Sequence, residues 1–166
     1  MKDLHIVLDS SPIIALIKMR ELSLLKNLFK RIIIPQGVYE ELTDKPEYQE
    51  EQRKQFQNEY KLGWITLKKL EKLQYPDLPL GKGETEAINA CLEIENVLLL
   101  IDEKKGRNMA KSLNLKVLGT LGILSLARKN NLKTVQELEI NLERLVQQGF
   151  YLSSDIILSF LKHLRS

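Results

Sequence analysis

Four carboxylates are placed where a cation or a phosphate could be handled. Asp9 follows the apolar run Leu4-His5-Ile6-Val7-Leu8, and Asp102 follows Val97-Leu98-Leu99-Leu100-Ile101. Ligands of open parallel sheets bind beyond the carboxyl ends of the strands, so both acids would face that edge. Each also precedes a helical pattern, where aspartate is a favoured cap. Capping explains either one singly, and a shared site explains why there are two. Glu84 is placed differently. At about 100° per residue it shares a helical face with Ile88 and Cys91, while Glu86 and Glu93 point the opposite way. A carboxylate held against a core stays charged only if it is paired, hydrogen-bonded or bound to a cation. The helix dipole favours a first-turn acid by about 0.5 kcal/mol, which explains an acid after Gly83 but not the choice of face. By the same geometry Glu41 lies at the margin of the Val38, Tyr39 and Leu42 face, with Glu40 further toward solvent.

Oxygen ligands from four separate elements suit hard cations such as Mg²⁺ or Mn²⁺. Cys91, His5 and His163 have no zinc-site spacing. The chemistry expected of such a set is phosphodiester hydrolysis, in which the ion activates a water for in-line attack and neutralises charge on the phosphate, with no covalent nucleophile. Lys104 and Lys105 fall in the first turn of a helix, where the dipole opposes a cation. A nearby phosphate backbone would favour them there, with Arg107 as a further contact; solvent-facing lysines tolerated for no particular reason are the plainer explanation.

The elements that must position these residues fit one domain over residues 1–166. A chain of this length buries roughly 70% of its unfolded surface in a single core. With 43% hydrophobic and 28% charged residues the composition is that of a globular protein, not a disordered or fibrous one. The net charge of +3 is too small to argue for nucleic acid by itself, but its distribution is uneven. Acids outnumber bases from Glu40 to Glu59, whereas Lys104, Lys105, Arg107, Lys111, Lys116, Arg128, Lys129 and Lys133 form a stretch free of acids. One side of the molecule is therefore expected to be basic. A lone cysteine, the absence of a signal-like apolar segment near Met1 and the absence of any apolar run of about 20 residues point to the cytoplasm.

A strand at Leu4–Leu8 passes into a helix at Ser10-Ser11-Pro12, with an apolar pattern through Leu28. Ile32-Ile33-Ile34 is a second strand, stopped by Pro35 before a second helix with Val38, Tyr39 and Leu42. Asp44–Tyr60 reads as a solvent-facing helix after Lys45-Pro46, and Trp64–Leu67 as a third strand followed by a loop with Pro76 and Pro79. A helix opens at Gly81-Lys82-Gly83, and Val97–Ile101 is a strand apolar on both faces. Lys116–Leu118 is a fifth strand between helices at Glu103–Ser112 and Leu121–Asn130, and Thr134–Arg165 gives two helices broken near Gly149. Continuous apolar strands alternating with helices predict a three-layer α/β/α sandwich with a mainly parallel sheet.

The strings Leu8-Asp9-Ser10-Ser11-Pro12, Ile34-Pro35 with Val38-Tyr39-Glu40-Glu41-Leu42, Gly81-Lys82-Gly83-Glu84 and Leu100-Ile101-Asp102 resemble PIN domains in their order. A closer resemblance is to predicted prokaryotic PIN proteins that share the Gly-Lys-Gly-Glu segment, a stretch like Asp102–Arg107, and Gly119-Thr120-Leu121-Gly122. It covers about residues 4–130, with the helices of about 134–165 as a C-terminal extension. The resemblance implies a Rossmann-like sandwich that cleaves single-stranded RNA with one or two Mg²⁺ or Mn²⁺ ions. It makes Asp9 the central metal ligand and Glu41, Glu84 and Asp102 the other acidic positions, with Ser10 orienting a water or a ligand. It further implies the toxin half of a VapC-like toxin–antitoxin pair, inhibited by a small protein and pairing as a homodimer. Two departures bear on a second metal position: Leu100 stands where the family often has a hydroxyl residue, and the second terminal acid would be Glu103.

Other chemistries fail at their motifs. A haloacid-type phosphatase needs a second aspartate where Ser11 stands, a receiver domain needs an acidic pair at the first strand, and Gly81-Lys82-Gly83-Glu84 lacks the earlier glycine that a P-loop requires. The competing reading is a PIN-fold scaffold that binds RNA or a protein without cutting it, since a fold does not guarantee its chemistry.

Overall fold

The computed structural model describes residues 3–44 and 49–165. In chain order the elements are β1 (His5–Leu8), α1 (Ser10–Lys18), α2 (Ser23–Phe29), β2 (Ile32–Pro35), α3 (Gln36–Thr43), α4 (Glu50–Lys61), β3 (Ile65–Lys68), α5 (Lys82–Leu92), β4 (Val97–Leu100), α6 (Lys104–Ser112), β5 (Lys116–Leu118), α7 (Thr120–Lys129), α8 (Val135–Gln147) and α9 (Ser154–Arg165). The strands form one sheet in the order β3-β2-β1-β4-β5, with every pair parallel.

Side chains alternate across a strand, and here each side meets helices. Ile6 and Leu8 of β1 and Leu100 of β4 enter a core with Ile13 and Leu16 of α1, Leu25 of α2, Phe56 of α4 and Leu124 of α7. Val7, Leu99 and Ile101 enter a second core on the other face with Ala87, Ile88 and Cys91 of α5 and Ala110 of α6. This double coverage is why the central strands carry no polar alternation. The result is the expected three-layer sandwich.

The apolar pattern after Pro12 is two helices rather than one. Met19 ends α1, Arg20 takes a left-handed φ of 59°, and the N–H groups of Arg20 and Glu21 close on the carbonyls of Ile17 and Leu16 in a Schellman turn. The helix expected over Asp44–Tyr60 begins at Glu50; Lys45-Pro46 lie outside the described residues. It is not simply solvent-facing either, because Phe56 is fully buried and meets Tyr39 edge-on with ring centroids 6.0 Å apart. The C-terminal helices belong to the first core, through Leu138, Leu142 and Leu145 of α8 and Phe160 and Leu164 of α9. Among the described residues no helix is long and apolar enough to cross a membrane.

Strand order decides where a ligand would sit. After β3 the chain returns to the other side of β1, so the topological switch lies between β1 and β4. Leu8 pairs with Leu100, and the Asp9 N–H continues the ladder to the Leu100 carbonyl at 3.0 Å. Asp9 and Asp102 therefore leave neighbouring strands at the crevice where an open α/β sheet holds its ligand.

Candidate active site at the strand switch

The acids at this edge divide by what donates to them. Asp102 does not cap α6, the helix that follows it, because Glu103 occupies the cap position there. Its Oδ1 accepts the backbone N–H of Thr120 at 2.7 Å, and its Oδ2 accepts the Thr120 hydroxyl at 2.7 Å. Thr120 is the first residue of α7, so Asp102 satisfies an orphan donor at the positive end of that helix. Burial pushes the Asp102 carboxyl up; the two Thr120 bonds and the Arg107 guanidinium pull it back down.

Helices α3 and α5 exchange carboxylates in the same way. Glu41 of α3 accepts the Gly83 N–H at 3.1 Å at the start of α5, and Glu86 of α5 accepts the Gly37 N–H at 3.2 Å at the start of α3. A Cβ at either donor would displace the carboxylate that faces it. Glu86, expected on the face away from the site, is thus drawn between the two helices: helical angle alone does not register that α3 crosses there. Glu41 also accepts the Ser10 hydroxyl at 2.5 Å, and Ser10 is buried. Glu40 turns outward, as expected, and pairs with Lys82 at 2.9 Å.

Asp9 and Glu84 are used otherwise. Asp9 stands at the cap position of α1 without making a side-chain capping bond, and only 2% of its surface is exposed. Its Oδ1 is buried without a hydrogen-bond partner, and so is Oε2 of Glu84. Burial, followed by repulsion from Glu41, Asp102 and Glu103, outweighs the backbone hydrogen bond at Ser10 and pushes the Asp9 carboxyl up to about 7. Glu84 is likewise pushed up to about 7, by burial first, then by the Glu103 carboxyl and the charges of Asp9 and Glu41. Gly106 of α6 lies over Glu84, where a Cβ would come within 2.6 Å of Oε2. The four acids singled out in the sequence are thereby electrostatic neighbours, and Glu103 joins them.

The basic residues are used in different ways. Lys104 and Lys105 are exposed in the first turn of α6, and Arg107 lies beside Asp102 near Gly119. Lys133 is spent on Glu21 at 2.6 Å. Sequence reading missed Thr120 and Gly83 as donors. The signal that could have found them is their position at the first turn of a helix, where backbone N–H groups lack internal partners.

Among the described residues, no group of three acids, imidazoles or thiols converges closely enough to hold an ion as it stands. The physical reason is that Glu41 and Asp102 are turned onto their own donors. The residues nevertheless fit a hard cation. Mg²⁺ is commonly held by one or two carboxylates, with waters and substrate phosphate completing its shell, and Asp9 and Glu84 offer two buried oxygens that lack partners. No curated protein sequence matches the chain. A family model described as a PIN domain matches residues 5–166, reaching through α8 and α9 and so beyond the stretch whose motifs carry the resemblance. With the parallel sheet, the acids at its switch point and a match over nearly the whole length, the chain belongs to the PIN-domain family.

Proposed function

We propose that this protein is a ribonuclease that hydrolyses RNA phosphodiester bonds with Mg²⁺ or Mn²⁺. PIN domains are generally nucleases. The observation that carries the metal reading is the pair of unpartnered buried oxygens on Asp9 and Glu84, surrounded by further negative charge. Carboxylates crowded in this way repel one another, and a cation relieves the repulsion. Asp9 and Glu84 would hold the ion, and Asp102, whose two oxygens accept from Thr120, would join as a ligand by giving up one of those bonds or act on the ion through a water. When bound, the ion supplies an activated water and charge neutralisation at the phosphate.

The chain's own residues do the positioning. Glu41, fixed by Ser10 and Gly83, adds negative charge beside Asp9 without needing to touch the ion. Thr120 fixes Asp102. Lys104, Lys105 and Arg107 hold backbone phosphates, which sets register but reads no sequence. RNA as the polymer, a small inhibitory protein partner and a homodimer follow from the resemblance to toxin members of the family and are part of the same proposal.

The test is cleavage of a pool of single-stranded and structured RNAs by wild type and Asp9→Asn, each with Mn²⁺, Mg²⁺ or chelator, alongside calorimetric titration of Mn²⁺. Cutting that needs both the ion and Asp9 is the expected result. The scaffold reading draws on Glu41 and Asp102 being already satisfied by hydrogen bonds, and it predicts no ion binding to wild type and no cutting.

A further inference from the structure

The loop between α8 and α9 brings an aromatic ring to the acidic edge, and its geometry is set. Gly149, at a φ of +86°, ends α8 in a Schellman turn, with its own N–H bonded to the Val146 carbonyl and the Phe150 N–H to the Leu145 carbonyl. The next residues are irregular until α9 begins at Ser154. Phe150 and Leu152 pack against the main core, so the residue between them is turned out. That residue is Tyr151, with 87% of its surface exposed. A singly exposed apolar side chain needs no explanation in general. Tyr151 lines a cleft of about 540 Å³ whose other walls include Asp102, Glu103, Arg107, Thr120 and the half-exposed Ile156.

We propose that Tyr151 is a stacking platform for one unpaired base of the RNA, next to the phosphate handled at the acidic site, with Arg107 on the adjoining backbone. The inference rests on the ribonuclease reading and narrows its substrate to strands whose bases are free to leave a helix. An exposed ring presents its face to any base, and base–aromatic stacking of this kind is tolerant of sequence. Bases in an RNA duplex are already stacked on each other, whereas those of single strands, loops and bulges can be splayed onto such a ring. Because Phe150 and Leu152 already anchor the loop, little ordering remains to be done on binding. Charge fits too: Arg107 is the cation of the cleft and lies beside Asp102, the one acid of the proposed ion site that also lines it.

The experiment compares full-length wild type, Tyr151→Ala and Tyr151→Phe. Binding of an unstructured RNA oligonucleotide and of a blunt RNA duplex of equal length is measured by fluorescence anisotropy in Mg²⁺ and in chelator. KM and kcat for the unstructured RNA are measured in Mn²⁺. Tyr151→Ala is expected to weaken binding of the unstructured strand by roughly 5- to 150-fold, the loss for one stacked base, and to raise KM more than it lowers kcat. Duplex binding stays as in wild type, and Tyr151→Phe, which keeps the ring, behaves like wild type. If Tyr151→Ala binds and cuts the unstructured strand as wild type does, the platform is overturned while the ribonuclease stands, and the exposed ring is left for a protein partner. If Tyr151→Phe is as weak as Tyr151→Ala, the hydroxyl and not stacking is responsible, and the inference also fails. Wild type that neither binds nor cuts unstructured RNA overturns both readings.

Discussion

Thr120 gives both its backbone N–H and its hydroxyl to the carboxylate of Asp102, each at 2.7 Å, so the last acid of the site is held by the start of α7 rather than by its own helix. Thr120→Val keeps the shape and the backbone bond and removes the hydroxyl. A hydrogen bond to a charged group contributes about 1.5–3 kcal/mol, and the expected loss of stability is of that order. The Thr120 hydroxyl also lowers the Asp102 pKa, so its removal raises it, and the acidic limb of the cleavage profile moves to higher pH. Chemical denaturation and a pH–rate profile check the two halves separately.

The metal-free protein is expected to lose stability as pH rises from about 4 to about 7. Asp9 and Glu84 both titrate near 7 in the folded state, against ordinary values of 3.8 and 4.5. A carboxyl whose pKa is raised by folding favours the native state fully below its unfolded pKa, and that contribution is lost as pH climbs to the folded value. Melting curves in chelator between pH 4 and 8 measure the slope. Mn²⁺ should flatten it by stabilising the ionised pair, and Asp9→Asn should flatten it without metal. A chelated wild-type protein equally stable at pH 5 and pH 8 would contradict the acid cluster.

Gly83→Ala separates the site from the fold. The added Cβ would press on the end of the Glu41 side chain, which is flexible enough to move away, and alanine is the better helix former by roughly 0.5–1 kcal/mol. The helix gain only partly offsets the lost bonds to the carboxylate, about 1.5–3 kcal/mol each, so the melting temperature should fall modestly while the fold is kept. Moving Glu41 breaks its bonds to Gly83 and Ser10, so cleavage should fall about tenfold or more, the scale on which a misplaced site residue is felt. Activity equal to wild type would show that the placement of Glu41 does not matter.

Lys104→Ala combined with Lys105→Ala is expected to weaken RNA binding most at low salt. Two phosphate contacts on a single strand contribute about 1.4 to the slope of log K against log salt, at roughly 0.7 per charge. Affinity measured across a series of salt concentrations tests this, and an unchanged slope would remove the start of α6 from the interface.

The central strands could be read directly, because a strand covered on both faces must be apolar at every position, and Val97–Ile101 meets that condition without help from its neighbours. Asp9 and Asp102 were visible for a related reason: they follow such strands. The break between α1 and α2 was not visible, since Arg20 enters the left-handed region in a turn that carries no glycine. Nor was the burial of Phe56, in a segment that is otherwise strongly polar, because Tyr39 comes from another helix.

By itself the sequence determined which acids stand at strand ends and helix starts, because those positions follow from local periodicity. Only the tertiary structure decided how each acid is used. Helix N-termini carry orphan N–H groups that any nearby carboxylate will take. Long-range packing assigns Glu41, Glu86 and Asp102 to three of these, and it leaves one oxygen each of Asp9, Glu84 and Glu86 buried without a partner. Residues as distant in the chain as Glu41 and Gly83 meet only when α3 and α5 pack together, and no local pattern records that contact.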